Sequence, residues 1–406
     1  MSMPFSGIRI LDLSRIFAGP YCTQTLADMG AEVIKVERPI AGDEMRNYGP
    51  PFLKNREGKD SRESSYYVAA NRNKKAITVD LAKPEGQEII KQLAAISDVV
   101  VENYKVGDLK RHGLDYESIK AVNPRIIYAS ITGFGQTGPY RERPGLDGCF
   151  QAMSGLMSIT GQADGPPQRT GVIVSDTITS LFTTVAIISA LYHRNMNNGP
   201  GQYIDMALLD SQLAGLSHRA TAYFLSGEVP MRQGNSTPAS FPSDIFPCAD
   251  GSMFISAGAD DQFRRLLKII GHPKLIDDPR CTTRAARLQN RAFLQKILVD
   301  ALAPRSMLEW ADDFAAGNII SAAVNTLEQA FNDPHVKSHD VVLQVPHPDS
   351  ATGTVPILRS PMKFSETPIT KYTAPPQLGQ HTDEVLKGVL GMDDATLARL
   401  KQSKVI

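Results

Sequence analysis

The chain has 406 residues, of which 42% are hydrophobic and 21% charged, and its 43 Lys and Arg against 43 Asp and Glu leave no formal net charge at pH 7. That length predicts two domains, and the charge balance argues against nucleic acid or an anionic membrane as main partner while permitting a local basic patch. No run of about 18 apolar residues and no charged-then-apolar leader stand out, so neither a membrane span nor a secretory signal is expected.

In chain order, Gly7-Ile8-Arg9-Ile10-Leu11-Asp12-Leu13 predicts a short strand apolar enough to be buried on both faces. Ala18-Gly19-Pro20 opens a helix to about residue 29, and residues 30–37 predict a second strand. This strand–helix–strand unit begins a doubly wound parallel sheet. It lacks GxGxxG, which weakens a dinucleotide-binding reading and leaves another nucleotide-bearing ligand, or none. Residues 39–65, polar and rich in Gly and Pro, predict a long loop enclosing Gly42-Asp43-Glu44-Met45-Arg46. Residues 76–81, 98–104 and 126–131 predict further strands, with a helix over 84–95. Asn103-Tyr104 falls at the carboxyl end of a strand, where such sheets bind ligands. The charged run Asn71-Arg72-Asn73-Lys74-Lys75 predicts a solvated face.

A long helix from Thr177, a strand over 202–206 and a helix from Ala207 complete a large domain, 1–225. A Pro-, Gly- and Ser-rich stretch (230–252) then leads to a strand over 253–256 and helices over 261–270, 285–302 and 307–316, a smaller α/β domain spanning 226–335. Residues 336–406 return to the large domain through a strand within 354–364 and end in a helix over 393–401. The expected class is α/β, a Rossmann-like parallel sheet plus a smaller α/β domain. Cys22, Cys149, Cys248 and Cys281 are scattered without ligand-like spacing, which predicts reduced thiols, a cytoplasmic setting and no metal.

The densest stretch is Gly171-Val172-Ile173-Val174-Ser175-Asp176-Thr177, a short buried strand or extended lead-in followed by apolar residues at 178, 181, 182, 185 and 188, one face of a helix. Asp176 would face free backbone N–H groups and the positive end of the helix dipole. For an arbitrary Asp the simplest role there is a helix cap. The neighbouring text is less ordinary: Arg143-Pro144-Gly145-Leu146-Asp147, Gln151 to Met157, and Gly165-Pro166-Pro167. With Val33 to Pro39, Gly42 to Arg46, Asn71 to Lys75, Val101 to Tyr104 and Gly379-Gln380-His381-Thr382, it resembles the CaiB/BaiF family, the class III coenzyme A transferases, over essentially the whole chain.

The resemblance implies an interlocked homodimer that transfers coenzyme A from an acyl-CoA donor to a free carboxylic acid. Asp176 would be the catalytic nucleophile, and CoA thioester a substrate with no prosthetic group. By family position, Arg38, Arg111 and Arg143 are candidates for CoA phosphate contacts, and Phe17, Ala18, Val79, Asp80, Leu81, Asn103 and Tyr104 would flank adenine and pantetheine. Arg38 and Arg111 would otherwise read as surface charges. The formyl-CoA:oxalate branch carries Gln where Phe17 stands, Tyr where Leu146 stands, and a glycine run where this chain has Ser256-Ala257-Gly258-Ala259-Asp260. The racemase branch has His at Leu146, which cannot carry a proton. Similarity leans toward succinyl-CoA as donor and a dicarboxylate as acceptor. Formyl-CoA:oxalate or carnitine-type transfer, 2-methylacyl-CoA racemisation, a nucleotide-dependent oxidoreductase and a non-catalytic CoA-binding module are the alternatives.

Overall fold

Short runs of Ile, Leu and Val form one parallel sheet. Its strands are β1 (Arg9–Asp12), β2 (Glu32–Glu37), β3 (Lys74–Thr78), β4 (Val99–Glu102), β5 (Ile127–Thr132) and β6 (Tyr203–Ala207). They lie in the order β3-β2-β1-β4-β5-β6, every pairing parallel. The winding reverses between β1 and β4, so the connections leaving their carboxyl ends diverge and open a crevice. The computed structural model describes residues 2–237 and 239–406. The sheet belongs to a unit made of Met1–Ser154, Thr170–Phe224 and His339–Ile406, and a second unit comprises Gly155–Arg169 and Leu225–Ser338.

Alternate strand residues feed two cores, which is why the strands read as continuous apolar runs. Leu11, Ile34, Ile77 and Val100 pack with Ile89, Ile90 and Leu93 and with the C-terminal Val385, Leu386, Leu397 and Leu400. Ile10, Val33, Val99, Val101 and Ile127 pack on the other face with Leu26, Ile187 and Leu191. Each such fully buried side chain contributes at most about 1.5–3 kcal/mol.

Five helices matter below: α1 (Ala18–Asp28), α2 (Pro84–Ala95), α3 (Asp147–Met153), α4 (Val174–Met196) and α5 (Leu208–Gly215). Helix α4 packs against α1, α3 and α5, and it inverts the expected amphipathicity. Thr179, Ser180, Thr183 and Thr184 are buried, whereas Leu181, Phe182 and Val185 are 49%, 45% and 60% exposed. The inward hydroxyls bond the carbonyl four residues back, on Ser175, Asp176, Thr179 and Ser180 respectively. The buried face is thus satisfied within the helix and small enough to admit α1 closely. By length and composition alone α4, 23 residues with a mean hydropathy of 1.5, is long and apolar enough to cross a bilayer, although its Ser and Thr residues leave it no unbroken apolar run and part of it is buried in the fold.

Other local expectations change. Residues 39–65 are not a structureless loop: Asp43 caps a 3-10 turn (Glu44–Asn47) by accepting from the Met45 N–H, and Phe52–Lys54 pairs antiparallel with Asp60–Ser64. The run at 71–75 is not a solvated face, because Asn71, Arg72 and Lys74 are buried. The Lys74 ammonium reaches Asp12, the Pro20 carbonyl and Asn71 at 2.8–3.0 Å, and burial lowers its pKa to about 8. Residues 171–173 form no buried strand: Gly171 and Val172 are exposed, and α4 begins at Val174. Thr354–Leu358 pairs with Val342–Pro346 as a separate hairpin, and Thr382–Leu390 is a helix that the sequence reading missed.

The second unit has its own sheet, β7 (Ser243–Cys248), β8 (Gly251–Ser256) and β9 (Ile320–Ala323), in the order β9-β8-β7 and antiparallel. Its core joins Phe246, Met253 and Ile255 to Phe263, Leu298, Trp310 and Phe314. Arg232 binds the segment 155–169 into this unit, donating to the carbonyls of Gly165 at 3.1 Å and Ser158 at 3.2 Å.

Candidate active site

At the crevice between β1 and β4 the backbone of residues 14–18 is held almost atom by atom. The buried Lys35 ammonium donates to the Ser14 carbonyl at 3.0 Å and to Asp43 at 2.8 Å. Asn103 grips Arg15 twice, accepting its N–H at 2.8 Å and donating to its carbonyl at 2.6 Å. Asp43 accepts the Ile16 N–H at 3.0 Å, and Ile16 sits at φ 68°, a left-handed conformation that costs a branched residue about 1–3 kcal/mol. Gly19 allows the tight return, since a Cβ there would lie 2.3 Å from that of Ser14. Phe17 stacks on Tyr21, ring centroids 5.2 Å apart, and leaves the N-terminus of α1 without a side-chain cap.

That uncapped end meets α4. The Ala18 N–H donates to the Asp176 carboxylate, and the Ser180 hydroxyl closes the junction by donating to the Ala18 carbonyl at 2.7 Å. Asp176 stands in the first turn of α4, so two helix N-termini converge on its carboxylate. Capping of α4 falls instead to Asp147, which accepts the Ser175 N–H at 2.8 Å and the Gln151 amide at 2.6 Å. Burial, and secondarily the charge of Asp147, raise the Asp176 pKa from 3.8 to about 7 against the opposing backbone bonds from Ala18 and its own N–H. Desolvation outweighs the dipoles, and the result is a poorly solvated carboxylate more basic than an ordinary aspartate.

Asp176 opens into a cavity of about 280 Å³ lined also by Arg15, Ile16, Ala18, Asn103, Tyr104 and Lys105, by Thr132 and Gly133 at the end of β5, and by Arg141, Glu142, Arg143 and Leu146. Four of these residues are cationic. Arg15 is paired with Glu44 at 2.6 Å and lies 4.5 Å over the Tyr104 ring, and Arg143 lies 3.7 Å over Tyr140. An adjoining cavity of about 390 Å³ shares Lys105 and holds Tyr116, Tyr128, Tyr203 and Glu102. Burial raises the Glu102 pKa to about 7 despite hydrogen bonds from Ser130 and the Tyr104 N–H.

Of the residues proposed from sequence, Asp176, Ala18, Asn103, Tyr104 and Arg143 therefore share one cavity. Phe17 is buried beside it. Arg38 is exposed beyond the end of β2. Val79, Asp80 and Leu81 follow β3, where the Val79 and Asp80 N–H groups donate to the carbonyls of Glu37 and Val405. Arg111 is exposed and paired with Asp108. Arg15, Thr132, Lys105 and Arg141 went unrecognised in the sequence, as did the roles of Lys35, Asp43 and Asp147. Lys35, Asp43 and Asp147 did carry a signal, their places in the quoted family signatures. Among the described residues no group of three or more His, Cys, Asp or Glu is placed to hold a metal.

The sequence pattern described as CoA-transferase family III matches residues 5–382. The chain belongs to that family, and it is a CoA-transferase. It is 42% identical over 384 residues to the succinate–glutarate CoA-transferase of Agrobacterium fabrum, covering 94% of this chain and 95% of that one. It is likewise 42% identical over 403 residues to the succinyl-CoA:glutarate CoA-transferase of Mus musculus, covering 99% and 90%. A solved CaiB/BaiF family protein of Brucella suis superposes with a TM-score of 0.87 at 40% identity, covering 96% of this chain and all of that one.

If Asp176 must be ionised to act, the acid limb of kcat/KM should have its midpoint near pH 7, since that quantity reports the free enzyme. Asp147→Asn keeps an oxygen for the Ser175 N–H but removes the charge that helps to raise the Asp176 pKa. The midpoint should move to lower pH, by less than the full displacement because burial is the larger cause. A pH–rate profile with an unmoved or raised midpoint would refute this account.

Proposed function

We propose that this transferase moves coenzyme A from succinyl-CoA to a second dicarboxylic acid through covalent intermediates on Asp176. The observation that carries the reading is the buried Asp176 carboxyl, held between two helix N-termini in a cation-lined cavity. The donor and acceptor classes rest on the activities named for the Agrobacterium fabrum and Mus musculus relatives.

The Asp176 carboxylate attacks the donor thioester carbonyl, forming a mixed anhydride as the C–S bond breaks and CoA leaves as thiolate. The thiolate attacks the aspartyl carbonyl of the anhydride, releasing the first acid as carboxylate and leaving an Asp176–CoA thioester. The acceptor carboxylate then repeats the two steps in reverse order, and the aspartate is restored. No net proton is transferred, so no His–Asp or Ser–His pair is required. The Ala18 N–H, already aimed at Asp176, is positioned to stabilise the oxyanions. Exposed Arg38 and Arg111 can meet the CoA phosphates, as can Arg143. Leu146 is 59% exposed and lines the cavity, and its hydrocarbon side chain offers no second base for racemisation.

The test is a donor–acceptor matrix read by mass spectrometry of the CoA esters, with a 2-methylacyl-CoA arm in heavy water. Transfer from succinyl-CoA to glutarate or a close dicarboxylate, without α-hydrogen exchange in the other arm, is expected. Transfer confined to oxalate or monocarboxylates, or enzyme-dependent exchange, would overturn the reading.

The assembly proposed with it is a dimer interlocked with a second copy. The uncovered apolar face of α4, with Leu181, Phe182, Val185 and Tyr192 between 45% and 67% exposed, is what such a partner would bury. Because interlocked chains separate only by unfolding, isotope-labelled and unlabelled enzyme mixed under native conditions should form no mixed dimers by native mass spectrometry. Exchange within hours, or a monomer at micromolar concentration, would sink this assembly.

A further inference from the structure

Buried polar atoms ordinarily find hydrogen-bond partners, and each exception calls for a reason. Two exceptions line the cavity that holds Asp176: the Arg15 Nε–H and the Thr132 hydroxyl. Thr132 is the last residue of β5, 8% exposed, and its Oγ1 meets no protein atom within bonding distance. Arg15 is otherwise held at three places. Asn103 holds its backbone N–H and carbonyl, Glu44 holds one terminal nitrogen at 2.6 Å, and the Tyr104 ring lies 4.5 Å from the guanidinium carbon. Only its Nε–H is left buried without an acceptor.

We infer that Arg15 and Thr132 form the subsite for the free carboxylate of a dicarboxylic acid, the end of the molecule that never becomes a thioester. The inference rests on the proposed transfer reaction and adds the residues that would select its acids. The chemistry of the two groups favours an anion. The Arg15 Nε can only donate, and the hydroxyl can donate as well, so one carboxylate can satisfy both. The positive charge of Arg15 strengthens such contacts. Two buried donor atoms discriminate against an analogue that lacks the acceptor, because both are then left unpaired. The same subsite serves succinyl-CoA and the acceptor in turn, since each presents one reacting and one free carboxyl group.

Thr132→Val removes the hydroxyl at nearly constant shape and orphans nothing, so the fold should survive. Arg15→Lys keeps the charge but loses the Nε–H. With succinyl-CoA as donor, kcat/KM is measured for glutarate and for pentanoate, which ends in a methyl group where glutarate carries its second carboxylate. Where pentanoate turns over too slowly, its inhibition constant against glutarate is used. Each variant should lose about 10- to 100-fold on glutarate and change little on pentanoate, so that the preference between the acids collapses. Equal losses on both acids would place the two groups on CoA or in the scaffold and overturn the inference, as would unchanged discrimination. Wild-type enzyme that transfers CoA to neither acid nor to any other dicarboxylate of the donor–acceptor matrix defeats the transfer reading itself, a result distinct from failure of the subsite. If another dicarboxylate is the acceptor, it and its monocarboxylate analogue replace glutarate and pentanoate in the comparison.

Discussion

Asp176→Asn should remain folded, bind CoA and lose transferase activity by on the order of 10³- to 10⁶-fold, as removal of a covalent nucleophile does in other enzymes. The structure strengthens this test, because the competing role of helix cap is already taken. Asp147 accepts the Ser175 N–H, while the Asp176 carboxylate receives Ala18 from the neighbouring helix. An Asn oxygen can still receive that N–H but cannot form the anhydride. Stability supplies a second readout with a definite sign. The folded pKa of about 7 lies above the ordinary 3.8, so the native state holds a proton that the unfolded chain releases. Between about pH 4 and 7 the unmodified protein therefore loses stability as pH rises, fully so above 7, and not at all below 4. The Asn variant lacks this term. Its denaturation midpoint should gain on the unmodified protein at pH 8 relative to pH 4. Hydroxylamine added with acyl-CoA should convert Asp176 of the unmodified enzyme to a hydroxamate, a mass change confined to its peptide. Near-normal turnover by the variant, or hydroxamate on another carboxylate alone, would remove Asp176 from the mechanism.

The parts of the fold legible in the sequence are those where one physical demand acts alone. A strand buried on both faces must be continuously apolar, and Ile10-Leu11 and Val99-Val100-Val101 satisfy that without any partner being known. Helix α4 escaped the same reasoning because hydroxyls bonded within the helix can face inward, so the apolar side points away from the core. The site divides in the same way. Asp176 was marked by the text around it. Asn103 was expected to touch the ligand, and it lines the cavity, yet both ends of its amide are engaged with Arg15 backbone. No local pattern announces that Ile16 takes a left-handed conformation, or that Asp43, 27 residues away, accepts its N–H. Such pairings depend on where β1, β2 and the turn after β2 meet in space. Thr132 is equally silent in the sequence, since a Thr closing a strand signals nothing until its hydroxyl is found without a partner.

Arg46→Ala should be the most damaging single change away from Asp176, because it strands a buried anion. The Arg46 guanidinium is 1% exposed. It bonds both oxygens of Glu37 at 2.7 Å, the Tyr67 hydroxyl at 2.6 Å and the Pro376 carbonyl at 3.1 Å, and it stacks 3.8 Å from the Tyr67 ring. Removing one partner of a fully buried ion pair typically costs about 3–5 kcal/mol, a large share of the roughly 5–15 kcal/mol that holds a domain folded. The damage should also reach the active site. Glu37 accepts the Asp43 N–H at 2.9 Å, and Asp43 in turn fixes Ile16, two residues before the Ala18 N–H that meets Asp176. With two units in the chain a single unfolding energy is not defined, so the measurement is the denaturant midpoint of the unit that contains the parallel sheet, followed beside kcat. Both should fall. Replacing the pair together by apolar residues, Glu37→Leu with Arg46→Met, removes the Glu37 charge, leaves buried Glu63, 3.9 Å from Arg46, with His347 at 2.9 Å, and should recover much of the midpoint. It would not restore the acceptor for the Asp43 N–H, so kcat should recover less than stability does. If the double variant is no more stable than Arg46→Ala, the loss comes from packing or from the Tyr67 and Pro376 contacts, and the buried charge is not its cause.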